Sequence, residues 1–592
     1  MAVKENGWKE RQAALMAAYP TWPRRTLSDH IDEAAKKYLE RPYLITRKKI
    51  YSYREVLARV DQAAKGLMAL GIKAREHVIL WMGNYAESVF LTLALNKIGA
   101  VVIPLNFMLK EVELKELWQD SDAVAVIFND RLGRTDYVRM VENICPELKG
   151  AGSPPDGYAE FPKLRNIICY SPEEKVYQGL VSLSALYDGG KEIRKEELHQ
   201  RQAASAYPDE ICHILYTSGT VGAPKGAMLT HDMLLRNAYI SGLGRSVGEG
   251  QCIYCPLPLY HVFALVEGIL TPTFVGGSVV VDEQFAPSEA IHLMEKNRVQ
   301  ELLCVPSILL ALLNCPEKAE HRLESLRTIF CAATPAPRPI WERVRREFGS
   351  REMLTGYGMT EVSAATVMTS PDDSLEVLST RVGRLLPANC SGLPEFGGRN
   401  VQYKVVDPVT GEELPAGSKG EFICRGNIVS KGYYKRPLET GALIDKDGWL
   451  HTGDLGIIHA DGLFELSGRS KEIYRVSGES VMPKEVEDVL TSYQKVNQAY
   501  VVGVPDSVST EIGAAFIELN PGEKATRKEI LEFARARLAK FKLPKYVFFI
   551  RHDDLPFTST GKIQKFLLVE KATVLKSNGL GYVGSESDAE IS

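Results

Sequence analysis

The hydrophobic positions between residues 76 and 130 form short blocks that alternate between two patterns. Three blocks, HVILWM, VVIPLN and AVAVIF, are nearly continuous apolar runs of strand length, which is typical of strands buried on both faces. The stretches between them, AESVFLTLALNKIGA and LKEVELKELWQDS, have the length and mixed polarity of helices. This βαβαβ order predicts a parallel sheet with helices on its faces.

A second α/β region is predicted from Glu301 onward. ELLCVPS, SILLALL and LRTIFCAAT follow one another there, and the helix-like PRPIWERVRREFG comes next. Two stretches rich in Gly, Pro and Asn, AGSPPDGYAE (151–160) and NCSGLPEFGGRN (389–400), are typical of surface loops. Residues 1–467 are therefore predicted to form a large α/β domain built from parallel-sheet subdomains.

The pattern changes past residue 470. The strand-like AYVVGVP, GAAFIELNP and YVFFI surround the helix-like TRKEILEFARARLAKF, in which Thr526 and Glu529 have capping-box spacing. These features predict a smaller α+β domain over residues 468–571, joined to the first through the small polar stretch SGRSK. The end of the chain is polar and rich in glycine, so residues 572–592 are predicted to be a disordered tail.

Composition and charge narrow the class of protein. The 71 Lys and Arg residues nearly balance the 75 Asp and Glu residues, so the charge gives no sign of a nucleic-acid or anionic-membrane partner. No apolar run has the length of a signal peptide or a spanning helix. The ten cysteines are scattered and mostly have apolar neighbours, which indicates a reduced, cytoplasmic protein. Cys252 and Cys255 have no second pair, which favours chance spacing over a zinc or redox site.

The stretch YTSGTVGAPKGAMLTH (216–231) has the composition of a phosphate-binding loop. Its glycines leave backbone N–H groups uncovered, and its Ser and Thr residues add hydroxyls. It lacks the Gly-Lys-Ser/Thr ending of a Walker A loop, because Pro224 precedes Lys225 and Gly226 follows it. Taken alone, the stretch fits a flexible loop between two strands equally well.

Six motifs, taken in order, specify the chemistry: TSGTVGAPKG, PLPLYH, GYGMTE, GWLHTGD, GRSKEIYRVSGE and PFTSTGK. Their order and spacing between about residue 25 and residue 570 resemble the adenylate-forming superfamily. That superfamily contains acyl-CoA synthetases, luciferases and the adenylation domains of peptide synthetases. The resemblance implies a large N-terminal domain, a small mobile C-terminal domain, and a reaction that uses ATP.

The implied reaction joins two anions, a carboxylate and the α-phosphate of ATP, so the site must supply positive charge where they meet. By resemblance, Lys562 bridges the carboxylate and the α-phosphate, although an isolated Ser-Thr-Gly-Lys would be no more than a surface turn. Glu361 matches the carboxylate that helps to hold Mg²⁺, together with the Thr217 hydroxyl. Thr360 matches the hydroxyl on the α-phosphate.

The resemblance implies further nucleotide contacts. Tyr357 would lie against the adenine, Asp454 would accept the ribose hydroxyls, and Arg469 would support the same sugar. As lone residues, Asp454 would fit a turn and Arg469 a surface charge. The full set of predicted cofactor-binding residues is Thr217, Ser218, Gly219, Thr220, Gly222, Lys225, Gly226, Ala333, Gly356, Tyr357, Gly358, Asp454, Arg469, Lys471 and Gly478.

By resemblance, three positions concern the carboxylic acid substrate and the molecule that accepts its acyl group. His261 matches an aromatic that lines or gates the acyl pocket, although a packed core histidine is the alternative, and its segment carries no aspartate to pair with an amino acid. Gly478 would border the pantetheine tunnel of coenzyme A, and Lys471 matches the hinge of the small domain. The pocket walls, VFALVEGI and Cys331–Thr334, suit a medium- or long-chain fatty acid, or an alicyclic or aromatic acid.

The sequence therefore predicts an AMP-forming acyl-CoA synthetase that uses ATP, Mg²⁺ and coenzyme A. A fatty-acyl-AMP ligase that loads a carrier protein and an aryl or alicyclic acid-CoA ligase are the alternatives. A luciferase-like monooxygenase or a silent binding protein on the same fold is less favoured. A homodimer is compatible with the sequence. A lysine acetyltransferase acting on Lys562 would remove the charge that the reaction needs.

Overall fold

The computed structural model describes residues 7–149, 158–217, 224–334, 336–476, 479–506, 509–558 and 563–581. These residues form two compact units. The first contains residues up to 402 together with 425–448, and the second contains 403–424 together with residues from 449 onward. The predicted boundary between residues 467 and 468 stays a prediction.

Helices and strands alternate through the first unit. Its helices are α1 (Trp8–Ala18), α2 (Leu27–Tyr38), α3 (Tyr53–Ala69), α4 (Ala86–Lys97), α5 (Glu111–Ser121), α6 (Tyr137–Ile144), α7 (Leu183–Gly189), α8 (Lys195–Ala204), α9 (His231–Gly244), α10 (Pro287–Lys296), α11 (Pro306–Asn314), α12 (Arg338–Glu347), α13 (Leu375–Thr380) and α14 (Pro437–Leu443). Its strands are β1 (Pro42–Ile45), β2 (Ile50–Ser52), β3 (His77–Trp81), β4 (Val101–Pro104), β5 (Ala123–Asn129), β6 (Arg131–Leu132), β7 (Thr135–Asp136), β8 (Asn166–Tyr170), β9 (Val181–Ser182), β10 (Ile211–Thr217), β11 (Lys225–Thr230), β12 (Cys252–Cys255), β13 (Ser278–Val281), β14 (Glu301–Cys304), β15 (Thr328–Cys331), β16 (Glu352–Leu354), β17 (Gly356–Met359), β18 (Ala364–Met368) and β19 (Arg384–Leu385).

Two seven-stranded sheets organise the first unit. One has the order β16-β15-β14-β12-β13-β1-β2 and is parallel except for the β1–β2 pair. The other has the order β11-β10-β4-β3-β5-β8-β9 and is parallel except for β10–β11. The parallel sheets predicted from the apolar runs are thus confirmed, and helices between consecutive strands supply the crossovers that parallel pairing requires.

Each large sheet packs against its own buried cluster. Trp341 of α12 and Leu309 of α11 lie on the sheet that contains β14 and β15. Trp118 of α5 and Val141 of α6 lie on the sheet that contains β3 and β5. These side chains are at most 3 % exposed, so the first unit buries a large apolar area, which is the main stabilising contribution to its folding.

The remaining elements belong mainly to the second unit. They are β20 (Val401–Val406), β21 (Lys419–Gly426), β22 (Leu450–Ile458), β23 (Phe464–Arg469), β24 (Tyr474–Val476), β25 (Glu479–Val481), α15 (Pro483–Thr491), β26 (Val496–Asp506), β27 (Thr510–Leu519), α16 (Arg527–Arg535), β28 (Tyr546–Phe549) and α17 (Lys565–Ser577). β20 to β23 form one sheet in sequence order, and β24 to β28 form a second.

Both faces of the β26–β27–β28 region are buried, because alternate residues of each strand point to opposite sides. Ala515 and Ile517 pack on one side with Ile530 of α16, whereas Ala514 and Phe516 pack on the other side. The predicted α+β character is therefore present. The capping box of α16 is confirmed, since the Thr526 side chain accepts from the Glu529 N–H and the Glu529 carboxylate accepts from the Thr526 N–H.

Two predicted ends differ from the structure. α16 ends at Arg535, earlier than predicted, and Leu538 and Phe541 beyond it pack against the same core as the helix. The tail predicted from residue 572 is partly ordered, because α17 continues to Ser577 with Ala572 buried. The carbonyl of Gly581 accepts from Val547 N–H. In both places tertiary contacts override the local pattern. Residues 582–592 lie outside the described part.

No helix among the described residues is long and apolar enough to cross a membrane.

Candidate active site

The glycine-rich stretch joins β10 to β11. These strands pair antiparallel, with Thr217 opposite Lys225, and the Thr217 hydroxyl donates to the Lys225 carbonyl over 3.3 Å. A Cβ at Gly226 would lie 2.5 Å from Cγ2 of Ile214, so packing against β10 requires glycine there. The predicted phosphate contacts Ser218, Gly219, Thr220 and Gly222 lie outside the described residues.

A segment from distant sequence, residues 430–434, pairs with the other edge of β11. Tyr434 N–H donates to the Gly226 carbonyl over 2.9 Å, and Met228 N–H donates to the Gly432 carbonyl over 3.0 Å. Tyr433 lies opposite Ala227, and its N–H donates to Oγ1 of Thr440 over 2.9 Å. This pairing was not predicted, because no sequence pattern links residues about 200 positions apart.

Tyr433 lies between two predicted site residues. Its hydroxyl donates to Oε1 of Glu361 over 2.7 Å, and Nζ of Lys225 lies 5.4 Å from its ring centroid. Glu361 is 6 % exposed, and its carbonyl accepts from Ser430 N–H over 2.8 Å. The structure thus brings Lys225 to the ring and Glu361 to the hydroxyl of one tyrosine, which no motif in the sequence had indicated.

The GYGMTE motif forms β17 and the 3₁₀ turn that follows it. β17 pairs antiparallel with β18, and a Cβ at Gly358 would lie 1.9 Å from the Ala364 carbonyl oxygen. Glycine at 358 therefore permits the close approach of the two strands. Tyr357 is buried at 7 % exposure, and Thr360 is half-buried at the start of the turn that carries Glu361.

Three of the predicted site segments follow the carboxyl ends of neighbouring parallel strands. His261 comes after β12, Ala333 after β15, and Gly356 after β16, in the sheet order β16-β15-β14-β12. The carboxyl ends of parallel strands lie at one edge of a sheet, which is where α/β proteins bind ligands. Ala333 has a φ of +75°, a conformation that costs a non-glycine residue about 1 kcal/mol or more.

One predicted wall of the acid pocket touches the strand that leads into the other. The ring of Phe263, two residues after His261, packs edge-on against Phe330 of β15 at a centroid distance of 5.4 Å. Asn84 holds the preceding turn, donating to the Leu257 carbonyl and accepting from Leu259 N–H. Nδ1 of His261 accepts from Phe263 N–H over 3.2 Å, so this ring is fixed close to its own backbone.

One wall segment contains a carboxylate, Glu267, which the structure pairs internally. Glu267 lies in a π-helical turn over Ala264–Leu270, is fully buried, and accepts from the Ser241 hydroxyl. Its pKa is raised by burial and held down by the neighbouring Arg245. Arg245 is equally buried and binds Oε1 of Glu301 at 2.6 Å. Oε2 of Glu267 is therefore occupied by protein partners, whereas Oε1 is buried without a hydrogen-bond partner among the described residues.

The second unit brings Asp454 and Arg469 together. They face each other across β22 and β23, and Nε of Arg469 lies 3.1 Å from Oδ1 of Asp454, which is 6 % exposed. Lys471 lies exposed in the 3₁₀ turn after β23, and Ser470 beside it donates to the Gly453 carbonyl over 3.2 Å. The other predicted contacts in this unit, Gly478 and Lys562, lie outside the described residues.

A Mg²⁺ ion carried by a nucleotide fits the chemistry of Glu361. Magnesium prefers oxygen ligands and is commonly held by one or two carboxylates together with phosphate oxygens and water. Glu361 is a buried carboxylate, and Lys225, which contacts the same tyrosine, is a cation suited to phosphate. No cluster of three or more His, Cys, Asp or Glu residues in the described ranges could hold a metal ion on its own.

Comparison with known proteins agrees with this geometry. The profile of the AMP-binding enzyme family matches residues 31–434, and that of the AMP-binding enzyme C-terminal domain matches residues 485–562. The Bacillus subtilis protein YngI, named as an acyl-CoA synthetase, is 33% identical over 556 residues, covering 92% of this chain and 97% of its own. The Danio rerio mitochondrial medium-chain acyl-CoA ligase ACSF2 is 31% identical over 525 residues, covering 88% and 83%.

Among solved structures, ATP-bound MatB from Rhodopseudomonas palustris superposes with a TM-score of 0.76. It is 26% identical and covers 91% of this chain and 98% of its own.

Proposed function

The chain belongs to the AMP-binding enzymes, a family of adenylate-forming acyl-CoA ligases, and on that premise we propose that it activates a medium- or long-chain fatty acid. In the first step a carboxylate oxygen attacks the α-phosphorus of ATP. The bond between the α-phosphorus and the oxygen bridging to the β-phosphorus breaks, and pyrophosphate leaves with its electron pair. In the second step the thiol of coenzyme A, losing its proton, attacks the acyl carbon and AMP leaves. The products are acyl-CoA, AMP and pyrophosphate.

The observation that carries the proposal is the grouping of Tyr433, Glu361 and Lys225, the first residue of β11. The Lys225 ammonium offsets negative charge on the departing phosphates, and Glu361 holds its carboxylate where a metal on the same phosphates can be bound. When bound, Mg²⁺ would stabilise the charge that develops on the pyrophosphate. Thr360 and Thr217 offer hydroxyls to phosphate oxygens, and the Thr217 hydroxyl would also be a ligand of the metal.

The second unit supplies the remaining roles in this proposal. Asp454, held by Arg469, accepts the ribose hydroxyls of ATP, and Tyr357 of the first unit lies against the adenine. Lys562 bridges the carboxylate and the α-phosphate in the first step and is withdrawn for the second, with Lys471 as the hinge. The need for that withdrawal follows from the reaction, because one site serves two different nucleophiles.

The apolar walls support a fatty acid as the substrate. Phe263, in the segment after His261, packs against Phe330, in the strand before Ala333. Glu267, the acidic residue of the first wall, is fully buried and its Oε2 is already bound by Ser241 and Arg245, so it is poorly placed to pair with the ammonium group of an amino acid. An unpaired ammonium in such surroundings would be strongly disfavoured.

A pyrophosphate-release assay tests the proposal. Fatty acids of increasing chain length, alicyclic acids and aromatic acids are supplied with ATP and Mg²⁺, with and without coenzyme A. We expect the fastest release with medium or long fatty acids, and formation of acyl-CoA only when coenzyme A is present. Preference for an aromatic acid would correct the substrate class. Adenylate that reacts with a holo carrier protein but not with coenzyme A would identify a carrier-loading ligase instead.

A further inference from the structure

Tyr433 is held by its backbone rather than by its side chain alone. The segment around it pairs with β11 through Met228 and Gly226, and its own N–H is bound by Thr440. The residues that follow fix the far side of the segment. Lys435 pairs with Asp122 at 2.7 Å and Arg436 pairs with Asp120 at 2.7 Å. The Tyr433 ring therefore cannot shift without breaking several contacts.

The hydroxyl of Tyr433 restrains the Glu361 carboxylate. The donor and acceptor are 2.7 Å apart, and Glu361 is nearly fully buried. A tyrosine hydroxyl carries a proton and an ionised carboxylate only accepts, so Tyr433 is the donor in this contact. A hydrogen bond from a neutral donor to a carboxylate fixes one oxygen and thereby sets the direction of the other.

The ring of Tyr433 has a separate contact with Lys225. The ammonium lies 5.4 Å from the ring centroid, within the range over which an aromatic face attracts a cation. Lys225 begins β11 directly after the glycine-rich stretch, so its side chain is the first cation after the predicted phosphate-binding turn. One tyrosine thus restrains an anion through its hydroxyl and a cation through its ring.

We propose that Tyr433 is a positioning residue that orients the Glu361 carboxylate toward a nucleotide-bound divalent cation and holds the Lys225 ammonium for the phosphates. This inference rests on the proposed function, because it assumes that ATP and its metal bind here. The two contacts are chemically separable. Removing the hydroxyl should weaken only the binding of the metal ion. Removing the whole ring should also weaken the binding of the phosphates by Lys225.

The chain provides a matched control in Tyr434. It carries the same side chain one position later in the same segment, and its hydroxyl donates to Oδ2 of Asp122 over 2.9 Å. Its substitution by phenylalanine removes one phenol hydroxyl bound to one carboxylate, which is the same change as at Tyr433. Only the carboxylate that loses its donor differs between the two variants.

The test uses Tyr433→Phe, Tyr433→Leu and Tyr434→Phe in the full-length chain. Binding of Mn²⁺, in place of Mg²⁺, is measured by electron paramagnetic resonance with saturating ATP and no acid. Binding of metal-free ATP is measured by calorimetry. Pyrophosphate release with the best acid is then measured against Mg²⁺ concentration.

We expect Tyr433→Phe to weaken Mn²⁺ binding about 10- to 100-fold, as loss of a partner of a metal ligand typically does, with metal-free ATP binding unchanged. Tyr433→Leu should weaken metal-free ATP binding as well, by about two- to fivefold, since the attraction of a half-buried cation to a ring is modest. Tyr434→Phe should change neither quantity more than about twofold, because Asp122 lies outside the proposed metal site. Mg²⁺ concentrations for half-maximal pyrophosphate release should follow the Mn²⁺ affinities.

The outcomes separate the inference from its premise. If the unaltered chain binds no Mn²⁺ with ATP, the proposed function itself is wrong. If the unaltered chain binds Mn²⁺ and Tyr433→Phe binds it equally well, the positioning role is overturned while the function stands. Equal losses in Tyr433→Phe and Tyr434→Phe would assign both tyrosines a structural role only.

Discussion

His213 and His231 lie in the first unit with exposed fractions of 1 % and 3 %. Burial lowers the pKa of His213 to about 3 and that of His231 to about 4, because a charged imidazole would lose its hydration. The unfolded chain binds a proton at each histidine below a pH of about 6.5, whereas the folded chain does not. The stability that depends on these two histidines is therefore fully present above a pH of about 6.5 and is lost as the pH is lowered toward 4.

The low pKa values of His213 and His231 predict how the free energy of unfolding depends on pH. Each of the two histidines should contribute a slope of about 1.4 kcal/mol per pH unit to the free energy of unfolding below pH 6. His213→Leu should remove one such slope, measured by denaturant unfolding at a series of pH values between 5 and 7.5. His199→Leu, at an exposed position, is the control and should leave the slope unchanged. An unaltered slope in His213→Leu would show that this histidine is protonated in the folded chain.

The burial and the partners of the candidate site residues depend on neighbours that are distant in the sequence. Asp454 is nearly buried because β22 and β23 set it opposite Arg469. Glu361 could be singled out from its motif, but the tyrosine that binds it could not, since residue 433 stands outside the motifs that carry the resemblance. The residue type at one position therefore predicted the chemistry there but not its partner.

At the scale of elements, glycine has opposite consequences in two places. In β17, a Cβ at Gly358 would meet the carbonyl oxygen of Ala364 at 1.9 Å, which is backbone and cannot move aside cheaply. In α14, a Cβ at Gly441 would meet nothing within 4 Å, and the residue is exposed. The same substitution should therefore destabilise one element and stabilise the other.

Gly358→Ala should lower the free energy of unfolding by about 3 kcal/mol or more and abolish adenylation, because it forces β17 away from β18. Gly441→Ala should raise the same free energy by about 0.5–1 kcal/mol through helix propensity alone. Denaturant unfolding of both variants, with pyrophosphate release as the second readout, checks the pair. A Gly358→Ala variant of normal stability and activity would mean that the two strands do not approach as described.

The whole molecule consists of two units with separate cores, and one ion cluster lies entirely in the second. Nζ of Lys565, the first residue of α17, lies 2.7 Å from Oε2 of Glu472 and 2.8 Å from Oε1 of Glu487. Burial opposes its charge, yet the two carboxylates raise the pKa of the Lys565 ammonium above its usual value. A cation at a helix N-terminus is otherwise unfavourable, so the carboxylates account for its position.

Lys565→Met should lower the stability of the second unit by about 3–5 kcal/mol, because it leaves two neighbouring carboxylates without a cation. Calorimetry should show the transition of the second unit shifted to lower temperature, with that of the first unit unchanged. Lys528→Met, at an exposed position on α16, is the control. It should change the stability of either unit by no more than about 0.5 kcal/mol, so neither transition should shift appreciably. A single transition that moves as a whole would show that the two units unfold together.

The sequence by itself determined the parallel sheets, the change to an α+β pattern past residue 470, and the family. Apolar runs of strand length and motifs of adjacent residues are local, so they can be read along the chain. Only the tertiary structure decided that residues 430–434 pair with β11, that Glu267 lies beside Arg245, and that α17 extends through Ala572. Each of these depends on contacts between residues far apart in the chain. Such contacts are fixed by packing and by the burial of polar groups, which no local pattern encodes.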